Sequence, residues 1–297
     1  MPDSRPWTIK EYRQESLTSV KAGCIKVFQA LGAFRDYIVI VGGLVPALLI
    51  DQPKSNRNDD PAVSHVGTRD VDIGFSLGII EYEPYRRIVE RLGQSGFRRD
   101  KNEAGNLTNH RWITEDKDST VTVDFQIPPD EKSPAAGKMQ NITGKLSAIV
   151  TPGLRLAFKD TEKRIIEHKT PAGDQIEREI KTCGPASFLV LKALAINERE
   201  KWKDYYDIFY LLRNWPEGIK YIAEQLIQLK QFDRGSHVET CVTVLRRDFK
   251  SLDHVGPRNV ARFFYGEDFQ DLPNNDPDVD HLLRQSQLLV ESLVSYL

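Results

Sequence analysis

An α+β chain, with an α/β front and an all-α back, is what three observations on the sequence predict. Over the first 181 residues, short β-branched or alternating runs bounded by glycine and proline are interleaved with short helical periods. From Gly184-Pro185 to Leu297 the apolar spacing is helical throughout. No internal repeat relates the two stretches, so they read as two domains, 1–181 and 182–297, which suits a chain of 297 residues.

Residues 11–36 open the chain with apolar positions at Leu17, Val20, Cys24, Val27, Phe28 and Leu31, the spacing of one helix, with Gly32 as its stop. Tyr37-Ile-Val-Ile-Val41 is too short and too β-branched for a helix. It reads as a buried strand entering the tight turn Gly42-Gly43. A helix then begins at Leu44–Leu49, where Pro46 fits a first turn that needs no N–H from it. The polar stretch 51–67 is an expected insertion loop. Val71–Leu77 reads as a second strand, and Tyr85–Leu92 as a helix ended by Gly93. Leu107–Thr114 and Thr120–Ile127, joined by a charged turn, read as an antiparallel hairpin closed by Pro128-Pro129. The pieces LRLAF, RIIEH and IEREI between Ala148 and Lys181 read as strands, and the back as helices near 185–197, 202–213, 217–230, 235–250 and 278–296.

Composition narrows the function classes. The longest apolar run, Tyr37–Ile50, is interrupted by Gly42, Gly43 and Pro46 and falls short of the ~20 residues of a membrane span. The first twenty residues mix both charges without an apolar core, so a secretory signal is not expected and the expected location is the cytoplasm. Three scattered cysteines indicate neither a disulfide framework nor a thiolate zinc site. The six histidines lack the HxxxH or HExxH spacing of a zinc hydrolase and are expected mostly at the surface. A net charge of −2 leaves any nucleic acid to be held by a local patch. Arg86, Arg87, Arg91, Arg98, Arg99 and Lys101 form one basic stretch, read either as a solvated helix face or as an RNA-backbone contact.

Chemistry is concentrated in a few carboxylates. In a strand, Asp70 and Asp72 project from the same face with about 7 Å between their Cα atoms, a spacing that suits shared hard cations such as Mg²⁺. Asp124 shares a strand face with Thr120, Thr122 and Gln126 and is a candidate third acid. Gly42-Gly43 before a helix offers close backbone approach to a phosphate. In the back, Phe188–Ile196 is apolar on every side except at Lys192, which therefore requires an anion. On the next helix Lys203, Asp204 and Asp207 share one sector, expected to face a polar cleft. The two open readings are a buried Lys–Asp pair pinning two helices and a phosphate ligand. Tyr205, Tyr206, Phe209 and Tyr210 are core by spacing.

The order Val41-Gly42-Gly43, Asp70-Val71-Asp72-Ile73 and Val123-Asp124-Phe125 resembles the hG[GS], Dh[DE]h, h[DE]h pattern of the nucleotidyltransferase superfamily with the DNA polymerase β type of fold. The later stretch G-P-A-S-x-L-V-x-K-A-L-A…R-x-x-x-K-D-x-x-D-I-x-x-L is similar to the C-terminal signature of the AbiEii-type nucleotidyltransferase toxins. The resemblance covers roughly 37–125 and 148–213. It implies a polymerase β-like catalytic domain with a mixed sheet, and a helical domain that closes over its cleft.

It also implies transfer of a nucleoside monophosphate from an NTP to an acceptor hydroxyl, with release of pyrophosphate. Asp70, Asp72 and Asp124 would then hold two Mg²⁺, Asp124 would help deprotonate the hydroxyl, and Gly42 and Gly43 would cradle phosphates. Lys192 would neutralise the triphosphate. Arg199, Lys203, Asp204 and Asp207 match the family's other charged positions, and Thr68 its hydroxyl before the first metal acid. Two departures stand out. Gly43 and Asp70 are 27 positions apart, longer than the family shows, and Val66-Gly67 stand where an Arg is common, Arg69 being the nearest. The implied acceptor is the 3′ end of a tRNA and the implied partner an antitoxin. A small-molecule nucleotidyltransferase of the antibiotic-modifying kind and a non-catalytic nucleotide-binding module are the alternatives.

Overall fold

Four consecutive buried β-branched residues, Ile38–Val41 (β1), can satisfy their backbone and bury every side chain only inside a sheet with both faces covered. β1 is indeed interior. The computed structural model describes residues 8–13, 17–50, 65–68, 70–76, 85–116, 119–130, 133–169, 173–266, 269 and 276–297. The remaining strands are β2 (Asp70–Phe75), β3 (Arg98–Lys101), β4 (Leu107–Asp116), β5 (Ser119–Ile127), β6 (Met139–Thr143), β7 (Leu146–Val150), β8 (Thr161–Lys169) and β9 (Gln175–Cys183). Their order is β3-β4-β5-β2-β1-β9-β8, with β7 also paired to β5 and β6 to β7. The sheet is mixed: β2–β5, β1–β9 and β5–β7 are parallel and the other pairs antiparallel. With the helices below, this makes the chain α+β.

Helix α1 (Ile9–Arg13) packs on a later helix, its Tyr12 ring 5.7 Å from Phe263, whereas α2 (Leu17–Ala30), α3 (Val45–Leu49) and α4 (Tyr85–Gln94) lie ahead of or among the strands in chain order. From Pro185 onward the described elements are helical: α5 (Pro185–Glu198), α6 (Trp202–Asn214), α7 (Ile219–Leu229), α8 (His237–Asp248), α9 (Val255–Tyr265) and α10 (Pro277–Ser295), with a 3-10 turn at Lys230–Phe232. Contacts along the backbone divide the described residues into two units. One takes those within 16–48 and 68–184, and the other those within 1–15, 49–67 and 185–297.

In the sheet unit α2 packs closely on β5, where a Cβ at Gly23 would collide with Val121. Phe75 and Phe125, from neighbouring parallel strands, stack with ring centroids 5.0 Å apart. In the helical unit α6 is the centre, every one of its residues except Arg213 being buried. Tyr206 of α6 stacks on Phe263 of α9 at 4.6 Å. The aromatic set expected in the core is there, Tyr205, Tyr206, Phe209 and Tyr210 being at most 3 % exposed. Cys24 and Cys183 in the first unit and Cys241 in the second are buried free thiols. Burial pushes the Cys24 thiol far up and that of Cys241 up to about 12. No described helix is long and apolar enough to cross a membrane.

Several expectations need correction. The opening helix stops earlier than expected: it is described over Ile9–Arg13 and Leu17–Ala30, and Gly32–Tyr37 is a 3-10 turn. LRLAF is a 3-10 turn, not a strand, because Gly153 before it takes a left-handed conformation (φ 75°) that starts a tight turn. Met139–Thr143 and Leu146–Val150, to which the sequence assigns no strand, form the β6–β7 hairpin. Helix α9 was not anticipated, its early Gly256 and Pro257 masking a first turn where proline is tolerated. The basic stretch is not one helix face: α4 ends at Gln94, and Arg98–Lys101 is strand β3. Loop residues 51–64 lie outside the described residues.

Candidate active site

Register builds the acidic face. Strand β2 exposes Asp70 and Asp72 in part and buries Val71 and Ile73, the alternation expected when one face of a strand is core. The parallel partner β5 sets Asp124 opposite Asp72 and Thr122 opposite Asp70. Antiparallel β4 sets Arg111 opposite Asp124, and antiparallel β1 sets Val41 opposite Asp72. Arg111, Asp124, Asp72 and Val41 thus form one row across four adjacent strands, about 4.8 Å apart from strand to strand.

The turn after Val41 reaches the same carboxylate. Gly42 has φ 75°, and a Cβ there would fall on the Asp72 carboxylate, so only glycine lets the chain turn this close to it. Asp72 is oriented by Gln126, whose amide donates to its Oδ1 at 3.0 Å while the amide oxygen accepts from the Thr151 hydroxyl at 3.0 Å. The Thr68 hydroxyl accepts the Asp70 backbone N–H at 3.5 Å, which ties the expected hydroxyl to the start of the strand. Arg69 and the side chain of Arg86 lie outside the described residues.

Asp124 differs from its two companions. It is 6 % exposed, and both its oxygens accept from Arg111, Oδ1 from Nε at 2.9 Å and Oδ2 from Nη2 at 2.7 Å. These two hydrogen bonds, with the nearby Asp70 and Asp100 charges, hold the Arg111 guanidinium above its ordinary range. Carboxylate oxygens are the right donors for a hard cation, and Asp70 and Asp72, sharing one half-exposed face, fit such an ion. The third acid is committed to a guanidinium, and among the described residues no group of three or more His, Cys, Asp or Glu side chains is gathered to hold a metal.

The helical unit holds a second charged group of another kind. Lys192 of α5 donates to Asp204 Oδ1 at 2.6 Å and forms an ion pair with Asp207 Oδ2 at 2.7 Å. Lys203 donates to Asp207 Oδ1 at 2.8 Å, and Arg199 reaches Asp204 Oδ2 from Nε and Nη2 at 3.2 and 3.1 Å. The sector Lys203, Asp204, Asp207, expected to face a polar cleft, is at most 3 % exposed, and Lys192 is 7 % exposed.

Charge placement follows from who shares whom. Burial alone would push the Lys192 ammonium down, but two carboxylates hold it above its usual value. Lys203 has only a share of Asp207 and repels Lys192, so burial wins and brings it down to about 8. Burial would raise Asp207, yet the two ammonium groups and a histidine hold it far below the usual carboxylate range.

That histidine, like Arg111, is a residue that the sequence does not single out. His65, expected among surface histidines, is buried against α6, stacked on Tyr206 at 5.3 Å and edge-on to Tyr210 at 4.9 Å. Its Nδ1 accepts the Gly67 N–H at 3.0 Å, which leaves the proton on Nε2, 2.9 Å from Asp207 Oδ1. Burial pushes its pKa down to about 4 against the pull of Asp207. Nothing periodic surrounds His65 in its polar segment, so no pattern in the sequence could single it out.

Among curated proteins no significant match to the chain is found. The model of the family described as "Nucleotidyl transferase AbiEii toxin, Type IV TA system" matches residues 64–285, a span that takes in the Asp70-x-Asp72 strand, the Arg111–Asp124 pair and the whole Lys192 to Asp207 group. A system of that type pairs its toxin with an antitoxin, and the match covers most of the chain: the protein belongs to the AbiEii family of nucleotidyl transferase toxins.

Proposed function

We propose that this chain is a Mg²⁺-dependent enzyme that transfers a nucleoside monophosphate from an NTP to the 3′ end of a tRNA, releasing pyrophosphate. The observation that carries the reading is the meeting of Asp70, Asp72 and the Gly42 turn on one face of the sheet. A glycine forced by contact with a carboxylate, at the end of an interior strand, is the arrangement that lets phosphate and cation approach the same few atoms. The strand order fits a polymerase β-like catalytic domain, and the consecutive helices after Pro185 fit a helical second domain.

In this reading Asp70 and Asp72 hold the cation, which when bound would neutralise charge on the phosphates. Gln126 keeps Asp72 turned toward that face, and the hydroxyl of Thr68 stands at the entrance of β2. Gly42 and Gly43 leave the backbone open to the triphosphate. Lys192, Lys203, Asp204 and Asp207, which the family signature would bring to the nucleotide, are buried and paired with one another, so in this reading they hold helices α5 and α6 together and leave phosphate to the sheet face. An antitoxin would counter the effect of this chain in the cell.

The test is incubation with each labelled NTP, Mg²⁺ and total RNA, followed by a search for labelled RNA bands. Label in the tRNA fraction that disappears with Asp72→Asn is expected. Label absent from RNA but present on a small hydroxylated acceptor would replace the acceptor class. No transfer with any NTP would leave nucleotide binding without catalysis.

A further inference from the structure

We propose that the acidic face carries one divalent cation, held by Asp70 and Asp72, and that Arg111 fills the place of a second, fixing Asp124 and presenting its outer edge to the phosphates of a bound nucleotide. The proposal rests on the metal-dependent reading above and adds to it a count of cations and a phosphate ligand.

Three features support it. The pairing is a fork on a fork, with Nε and Nη2 each on a separate oxygen of Asp124, which is the strongest and most directional form of a guanidinium–carboxylate contact. An incoming cation would have to break both bonds to bind Asp124 directly. Register fixes the pair as well, since Arg111 and Asp124 are opposite residues on adjacent antiparallel strands and the contact needs no long reach.

Exposure then decides which charge a ligand meets. The Arg111 side chain is 40 % exposed and that of Asp124 only 8 %, so the outward end of the pair is the cation. Within the row Arg111–Asp124–Asp72, this face therefore presents a guanidinium next to the Asp70 and Asp72 carboxylates. Nη1 makes no hydrogen bond among the described residues, and its two N–H groups point away from the fork. A planar donor set that stays charged at any working pH and is already oriented by a carboxylate is suited to phosphate oxygens. Asp124 is then a positioning residue, and its work is to hold Arg111.

Mn²⁺ titration of the full chain, followed by electron paramagnetic resonance, reads the cation count, and calorimetry with inorganic tripolyphosphate in chelator-treated buffer reads the phosphate site. The wild type should bind one Mn²⁺ per chain. Arg111→Met should bind two, since Asp124 is released, and should bind tripolyphosphate at least about tenfold more weakly. Two ions on the wild type, one ion on Arg111→Met, or an unchanged tripolyphosphate affinity would each overturn the proposal. Should Arg111→Met fail to fold, Arg111→Lys replaces it. That variant keeps the charge but cannot engage both oxygens of Asp124 in the same fork, so tripolyphosphate affinity should still fall severalfold, and equal affinity would overturn the proposal. A wild type that binds no Mn²⁺ would instead remove the metal-dependent reading beneath it, and loss of the single ion in Asp72→Asn would confirm where that ion sits.

Discussion

The two charged groups of this molecule are built from similar residues and behave as opposites. On the sheet, Asp70 and Asp72 lie on a half-exposed face, and Arg111 covers Asp124 from the solvent side. In the helical unit Lys192, Lys203, Asp204, Asp207 and His65 have almost no contact with water and neutralise one another. Charges at a half-exposed strand face can exchange a partner for a ligand at little cost. A sealed cluster cannot, because any vacancy leaves a charge in a medium that does not solvate it. The difference predicts that substitutions on the sheet damage chemistry first and substitutions in the cluster damage folding first.

The largest effect should come from the sealed group. Lys192→Met leaves Asp204 and Asp207 short of their shared cation, and breaking such a buried network costs ~3–5 kcal/mol. A drop in melting temperature of many degrees is expected in thermal unfolding followed by circular dichroism. A Lys192→Met protein that melts like the wild type would show that water reaches the group and would erase the contrast.

Next is the sheet. Asp72→Asn should lower transfer by at least about 100-fold, the scale of removing charge stabilisation at a transferring group, with melting temperature nearly unchanged. Asp70→Asn should behave alike. Activity within tenfold of wild type in both variants would detach these acids from the reaction. Gly42→Ala sharpens the same point from the backbone. It combines a positive φ with a collision on Asp72, at ~1–3 kcal/mol, and should move the carboxylate enough to lower transfer severalfold. Unchanged transfer would mean that the turn is structural only.

The smallest effect is a pH dependence from His65. Its pKa is about 4 in the folded chain against an ordinary 6.5, so between those values the unfolded chain binds the extra proton. Stability from this group is therefore fully present above pH 6.5 and is lost as pH falls toward 4. The cause is local: protonating Nδ1 would set it against the Gly67 N–H it accepts. His65→Gln should flatten the fall in melting temperature between pH 7 and pH 5, and an equally steep fall in both proteins would assign it to other groups.

What the sequence made legible follows from the range over which each signal acts. Strands β1 and β2, the β4–β5 hairpin and helices α5, α6 and α10 announce themselves through local periodicity and punctuation. The β6–β7 hairpin follows a stretch rich in Pro, Ser, Gly and Lys at 128–138, and its strands are only five residues each, too short for a clear alternation. The acids Asp70 and Asp72 were found because two residues on one strand need no tertiary information to share a face. The Arg111 partner of Asp124 was within reach as well. Once the hairpin pairs Asp116 with Ser119, counting back along both strands sets Arg111 opposite Asp124. His65 was not, since its meeting with Asp207 spans 142 residues and depends on packing alone.

The three buried thiols have a practical consequence. Cys24 and Cys183 belong to the sheet unit and Cys241 to the helical unit, and a thiol enclosed in the core is out of reach of alkylating reagents. Each cysteine is therefore silent in the native chain and becomes modifiable only when its surroundings open. Pulsed alkylation in rising denaturant, with the labelled peptides weighed by mass spectrometry, would time the opening of the two units separately in unmodified protein. If Cys24 and Cys183 label together and Cys241 labels at another denaturant concentration, the units melt independently. A single shared midpoint would make them one cooperative body.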